Sequence, residues 1–187
     1  MRISIHHSDC SQIMGFVSWA LSWFEWFGFF ARRGTVVILG YDNAGKTTLL
    51  SLLKTGNLTV NAPTRSVTTE EVKIGGITLS IFDMGGHKEA RRLWKDYYPT
   101  VDSIIYIIDS VDYDRLSDSC AALNSIIDHD GIKTQKVVIL LNKQDLIPHI
   151  EVSDVKNLID EDIPIFPCSL WNRTGYETAI RHLADSI

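Results

Sequence analysis

A short apolar run, Thr35-Val36-Val37-Ile38-Leu39, leads without a break into Gly40-Tyr41-Asp42-Asn43-Ala44-Gly45-Lys46-Thr47-Thr48. The run has the β-branched content of a strand covered on both faces. Leu49, Leu50, Leu52 and Leu53 follow as the apolar positions of a helix. Between strand and helix the glycines let the chain curl so that successive N–H groups converge, and the helix N-terminus adds its positive end. The result is a cradle for phosphate oxygens, predicted to be lined by Asp42, Asn43, Ala44, Gly45, Lys46, Thr47 and Thr48. Lys46 supplies a point charge to the outer phosphates, and the Thr47 hydroxyl is positioned for Mg²⁺. A plain glycine turn would not require a lysine and a threonine in these places.

The rest of the chain supplies matching elements. Residues 67–74 and 77–82 alternate as two strands, with Gly75-Gly76 as the hairpin turn between them. Residues 101–108 and 137–141 read as buried strands separated by a helix over 116–127. A helix over 88–98 is stopped by Pro99, and a short helix at 152–159, a strand at 163–167 and a helix at 175–187 follow. The predicted fold is α/β: a mostly parallel six-stranded sheet flanked by helices, with one antiparallel strand from the hairpin. Ligands of such sheets bind where strand C-termini meet loops.

The 187 residues amount to about one domain, and 18 Lys+Arg against 23 Asp+Glu leave a net charge of −5. Nucleic acid is therefore not the expected ligand. Cys10, Cys120 and Cys168 are widely spaced and odd in number, forming neither a disulfide ladder nor a zinc spacing. A reducing compartment suits them.

The base is settled after the run 137–141 by Asn142-Lys143-Gln144-Asp145. A carboxylate at Asp145 can accept from both the ring N–H and the exocyclic amine of guanine. Adenine would face it with a lone pair. The stem of Lys143 can lie on the base plane, and Asn142 can tie this loop to the phosphate cradle. Cys168-Ser169-Leu170 follow the last strand, where a backbone N–H, taken to be that of Ser169, can donate to the guanine carbonyl. The expected ligands are thus GTP and GDP with Mg²⁺.

Asp83-Met84-Gly85-Gly86 ends the strand 77–82. Asp83 is placed to hold a metal-bound water, and the Gly86 backbone to meet the γ-phosphate. Thr64, in the polar connection before the second strand, is a further candidate Mg²⁺ ligand. If it binds, its loop orders only when the γ-phosphate is present. Asp42 can touch the metal's water shell. His87 occupies the place of the residue that orients attacking water and is the candidate catalytic residue. No arginine is clearly placed to reach the leaving phosphate in cis, Arg65 being the nearest. Slow intrinsic turnover with a partner-supplied arginine is the expectation.

Aromatic residues crowd the start of the chain: eight of eighteen lie between Phe16 and Phe30. On a helix, Ser18, Ser22 and Glu25 form a narrow polar stripe beside Trp19, Trp23, Trp26 and Phe30. Three placements compete: an interfacial helix, a spanning anchor, or a helix packed on the domain. The tryptophans and the polar stripe favour the interface, with Arg32-Arg33 meeting headgroups. No small-residue cleavage site suggests a signal peptide. Arg2 after Met1 excludes myristoylation at that start. Two units are expected, a membrane-interacting segment over 1–33 and a GTPase domain over 34–187.

Together Gly40 to Thr48, Asp83-Met84-Gly85-Gly86-His87 and Asn142 to Asp145 resemble the Arf/Sar branch of small GTPases, over essentially all of residues 35–187. His87-Lys88-Glu89-Ala90-Arg91-Arg92-Leu93-Trp94-Lys95-Asp96-Tyr97 and Phe166-Pro167-Cys168-Ser169-Leu170 look like the Sar type in particular. The resemblance implies a protein that moves from cytoplasm to the cytosolic face of the endoplasmic reticulum membrane and transport vesicles. It implies GTP-dependent insertion of the N-terminal helix into lipid and recruitment of the COPII coat for ER-to-Golgi budding. The inner-coat subunits, including the GTPase-activating one, and a membrane-bound exchange factor would be its partners. Two features depart from the pattern. Only 23 positions separate Asp145 from Cys168 (168 − 145), shorter than expected of a Sar type, and Asn142 to Leu146 is worded as in Arf proteins. An Arf-like GTPase of another trafficking step is the alternative.

Overall fold

The apolar run of the sequence is the centre of the sheet, which explains why it is apolar on both sides. The computed structural model describes residues 32–58, 67–74, 77–129, 132, 136–160 and 162–185. Its strands are β1 (Arg32–Gly40), β2 (Thr68–Ile74), β3 (Ile77–Asp83), β4 (Ser103–Asp109), β5 (Lys136–Asn142) and β6 (Ile165–Pro167). They form a six-stranded sheet in the order β2-β3-β1-β4-β5-β6. In β1, Val36 and Ile38 enter one core while Val37 and Leu39 enter another, as the two-residue period of a strand requires.

Helices α1 (Lys46–Thr55) and α6 (Tyr176–Ala184) cover the first face through Leu49, Leu52, Ala179, Ile180 and Leu183. The opposite face is covered by α2 (Lys88–Arg91), α3 (Trp94–Tyr97), α4 (Leu116–Ile127) and α5 (Val152–Lys156), with Trp94, Leu123, Ile126 and Val155 in that core. Strands β3 and β4 run parallel to β1, β5 parallel to β4, and β6 parallel to β5. Gly40, Asp83, Asp109 and Asn142 therefore end their strands on the same edge of the sheet. Only β2 runs antiparallel to its neighbour, pairing Ile74 with Ile77. The Gly75-Gly76 turn predicted between them lies outside the described residues, as does the predicted N-terminal helix.

The single helix expected over 88–98 is two short ones. Leu93 N–H donates to the Ala90 carbonyl at 3.0 Å and Asp96 N–H to that of Leu93 at 3.1 Å, three-residue bonds that tighten the chain. The cause is tertiary: Trp94 is buried, donates its indole N–H to the Gly85 carbonyl at 3.1 Å and meets the Tyr106 ring edge-on at 6.2 Å. Seating that indole turns the backbone at Arg92-Leu93. Other ends move by a few residues. β1 starts at Arg32 because its pairing with β3 reaches Ile77, beyond the apolar run. α5 begins at a reciprocal cap between Glu151 and Asp154 and is shorter than expected. Among the described residues no helix is long and apolar enough to cross a membrane.

Candidate functional site

The loop between β1 and α1 closes only because glycine occupies its tightest point. Gly45 has φ +109°, and a Cβ there would stand 2.5 Å from Asn142 Nδ2. Asn43 also adopts a positive φ, 64°, which asparagine tolerates. Ala44 is buried, and Lys46, Thr47 and Thr48 form the first turn of α1, where no acidic residue opposes an anion. Lys46 is only 6 % exposed, and its ammonium donates to the Tyr41 carbonyl at 2.7 Å. Burial pulls its pKa down to about 8, against the pull of the Asp83 and Asp42 carboxylates. An ammonium so stripped of water gains much from a phosphate oxygen.

Thr47 Oγ1 donates to Asp83 Oδ2 at 2.6 Å, and Asp83 is 1 % exposed. A hydroxyl and a carboxylate in contact are hard oxygen donors of the kind Mg²⁺ takes alongside substrate phosphates and water. Among the described residues no group of three or more His, Cys, Asp or Glu could hold a metal by itself. Thr64 lies outside the described residues. Gly86 presses on the phosphate loop so closely that a Cβ would fall 2.3 Å from Asp42 N and 2.5 Å from Lys46 Nζ. His87 stands immediately before α2 with extended backbone, partly exposed, its carbonyl accepting from Arg91 N–H at 3.1 Å.

On the neighbouring strand end, Asn142 is 4 % exposed and fully engaged across two loops. Its Nδ2 donates to the Ala44 carbonyl at 2.8 Å, and its Oδ1 accepts from Leu170 N–H at 3.0 Å. Lys143, at φ 71°, anchors its ammonium on Asp109 Oδ2 at 2.6 Å. Ser169 Oγ donates to Asp145 Oδ1 at 2.5 Å, and Gln144 N–H donates to the Cys168 carbonyl at 3.1 Å. One expectation changes. The Ser169 N–H, taken from the sequence as the donor to guanine, donates to the Thr174 carbonyl at 3.0 Å. A local bridge between Ser169 and Thr174 folds this loop back on itself, and the hydroxyl of Ser169 is what faces Asp145.

Sequence reasoning missed Arg115. It follows β4 in the short turn Tyr113–Arg115, and its Nη1 pairs with Asp42 Oδ1 at 2.8 Å while Nε donates to Asp112 Oδ2 at 2.6 Å. Asp42 is thus paired with an arginine 73 positions away rather than grouped with Thr47 and Asp83. Two guanidinium groups stand over the Tyr41 ring, Arg91 at 3.9 Å and Arg115 at 5.9 Å from its centroid, and the Tyr41 hydroxyl donates to the Asp118 carbonyl at 3.0 Å. The available signal was positional: an arginine soon after a strand that ends on the cradle's edge. Arg65, the nearest in sequence, lies outside the described residues.

The loop after β1, the Asp83-Met84-Gly85-Gly86 segment against it and the Asn142-Lys143-Gln144-Asp145 loop thus meet at one edge of a mostly parallel sheet. The profile of the ADP-ribosylation factor family matches residues 21–187. The small COPII coat GTPase SAR1 of Giardia intestinalis is 34% identical, with 91% of this chain and 98% of that one covered. The protein of the same description from Nicotiana tabacum is 32% identical over 93% of this chain and all of its own (100%). Among solved structures, the Arl6 BBS3 small GTPase of Trypanosoma brucei with a bound nucleotide analogue, GppNp, superposes with a TM-score of 0.75 at 26% identity, covering 82% of this chain and 96% of that one. The chain belongs to the ADP-ribosylation factor family of small GTPases, enzymes that bind guanine nucleotides and hydrolyse GTP.

Proposed function

We propose that this protein is a Sar-type switch: it binds GTP with Mg²⁺, inserts its aromatic N-terminal segment into the endoplasmic reticulum membrane and recruits a COPII-type coat for vesicle budding. The observation that carries the nucleotide part is Asn142, whose one side chain joins the phosphate loop at Ala44 to the base loop at Leu170. The Giardia and tobacco SAR1 proteins, similar over nearly their whole lengths, support the coat assignment. The tryptophans between Phe16 and Phe30 support the membrane assignment.

In this reading residues 1–33 are the membrane-interacting unit and 34–187 the GTPase domain. Lys46 and the amides of Asp42 to Thr48 hold the phosphates, and Asp145 reads the base with Lys143 against its plane. Thr47 and Asp83 would hold Mg²⁺, which neutralises charge shared between the outer phosphates. Gly86 senses the third phosphate through its backbone, and His87 orients the attacking water. Intrinsic turnover is slow until an inner-coat subunit activates it, and a membrane-bound exchange factor reloads the site. The protein passes between cytoplasm and the cytosolic face of the membrane.

The test is co-sedimentation with liposomes of the full chain loaded with GDP or a non-hydrolysable GTP analogue, beside W19A/W23A/W26A. Binding only in the triphosphate form, lost in the triple variant, is expected. Equal binding in both nucleotide states would remove the switch assignment. A His87→Leu variant is expected to hydrolyse GTP at least about tenfold more slowly with nucleotide affinity retained.

A further inference from the structure

Resting on that reading of the site, the position of Arg115 bears on which nucleotide the loop prefers. Asp42 carries a carboxylate on the loop that would receive phosphates. Its backbone nitrogen and Lys46 Nζ lie so close to Gly86 that a Cβ there would stand 2.3 and 2.5 Å from them, and the Asp42 charge acts on the Lys46 ammonium. Unpaired, that carboxylate would oppose an anionic ligand on Lys46. At a separation of about 6 Å one such repulsion shifts an equilibrium by about a hundredfold at an effective dielectric of about 20 and by about threefold in water, so for side chains this exposed the expected effect is roughly tenfold.

Arg115 is held on that carboxylate from several sides. Asp112 takes its Nε edge, Asp42 its Nη1, and the Tyr41 ring stands beside the guanidinium. The Arg115 and Asp42 side chains are 38% and 53% exposed. Ion pairs that exposed contribute little to folding, so stability does not account for this arrangement. Its effect falls on the loop's charge. A diphosphate lacks the outermost group, whereas a triphosphate brings about one further negative charge and carries it further along the phosphate chain.

We propose that Arg115 is a positioning residue for the third phosphate: by pairing with Asp42 it neutralises the loop's own carboxylate and raises the preference for nucleoside triphosphate over diphosphate. Arg115 acts through Asp42, and Asp112 with Tyr41 keep it there.

The experiment compares dissociation constants for GDP and a non-hydrolysable GTP analogue, with Mg²⁺, in the full chain and in R115A, D42N and D42N/R115A. R115A is expected to lower the triphosphate-to-diphosphate affinity ratio by roughly tenfold. In the D42N background the same substitution should change that ratio by less than about twofold. R115K should retain most of the parent ratio. Equal weakening of both nucleotides by R115A, or an undiminished effect in the D42N background, overturns the proposal. If R115A does not fold, R115Q carries the test with the same expectations. A parent chain that binds guanine nucleotides no better than ATP would instead remove the site reading, and this inference with it.

Discussion

Asn142 donates through Nδ2 to the Ala44 carbonyl at 2.8 Å, so a residue at the end of β5 holds the phosphate loop 98 positions earlier in the chain. Its Oδ1 holds Leu170 N–H, and the residue is nearly inaccessible to water. Replacing it with alanine leaves a buried carbonyl and a buried N–H unpaired. Asn142→Ala is expected to destabilise the fold by about 2–4 kcal/mol, read from denaturant melts, and to weaken every nucleotide tested.

Asp145 is oriented by the Ser169 hydroxyl at 2.5 Å. On the proposed reading, a carboxylate held in this way would accept two charge-assisted hydrogen bonds from guanine and none from adenine. Asp145→Ala should lower GTP affinity by roughly a hundredfold, leave ATP binding nearly unchanged and so erase most of the discrimination. Competition of the two nucleotides against a fluorescent GDP measures it.

Gly86 has no room for a side chain, since a Cβ would meet backbone at Asp42 N, 2.3 Å away. Gly86→Ala must therefore move this segment off the phosphate loop. The non-hydrolysable GTP analogue should bind about ten- to a hundredfold more weakly, the value of one charged hydrogen bond, with GDP binding retained. Equal loss of both ligands would point to unfolding of the loop instead.

Burial raises the Cys120 thiol to about 11 and the Cys168 thiol to about 12, because an anion in an apolar core has no solvation. Neither should alkylate appreciably at pH 9, where an ordinary thiol is largely thiolate, and both should label once denatured. The sign for stability follows. Unfolded chains lose these protons near pH 9 and the folded chain keeps them, so stability falls as pH rises from 9 towards 11. Iodoacetamide labelling read by mass spectrometry, with melts at pH 8 and 10, checks both.

The parts of the site that the sequence revealed are those written locally. Gly45, Lys46 and Thr47 sit within one strand-to-helix connection, and Asn142 with Asp145 follows one apolar run, so spacing alone placed them. Parallel strands then bring these ends to one edge, which the order of elements implied. Arg115 was invisible because its contact with Asp42 joins loops at the ends of two neighbouring strands, 73 positions apart in the chain, and follows no local pattern. The break between α2 and α3 was equally hidden, since the helical spacing runs on while the burial of Trp94 decides the turn. The amide of Ser169 depended on a bridge to Thr174, a closure of the loop that composition does not announce.

Trp94 offers the simplest way to watch this protein work. An indole has a single N–H, and here it rests on the carbonyl of Gly85, adjacent to Gly86. Any shift of that pair of glycines takes away the ring's polar partner while its edge stays lodged against Tyr106. With Trp19, Trp23, Trp26 and Trp171 replaced by phenylalanine, the emission of Trp94 is therefore an internal gauge of the Gly85-Gly86 segment, readable without attaching any dye.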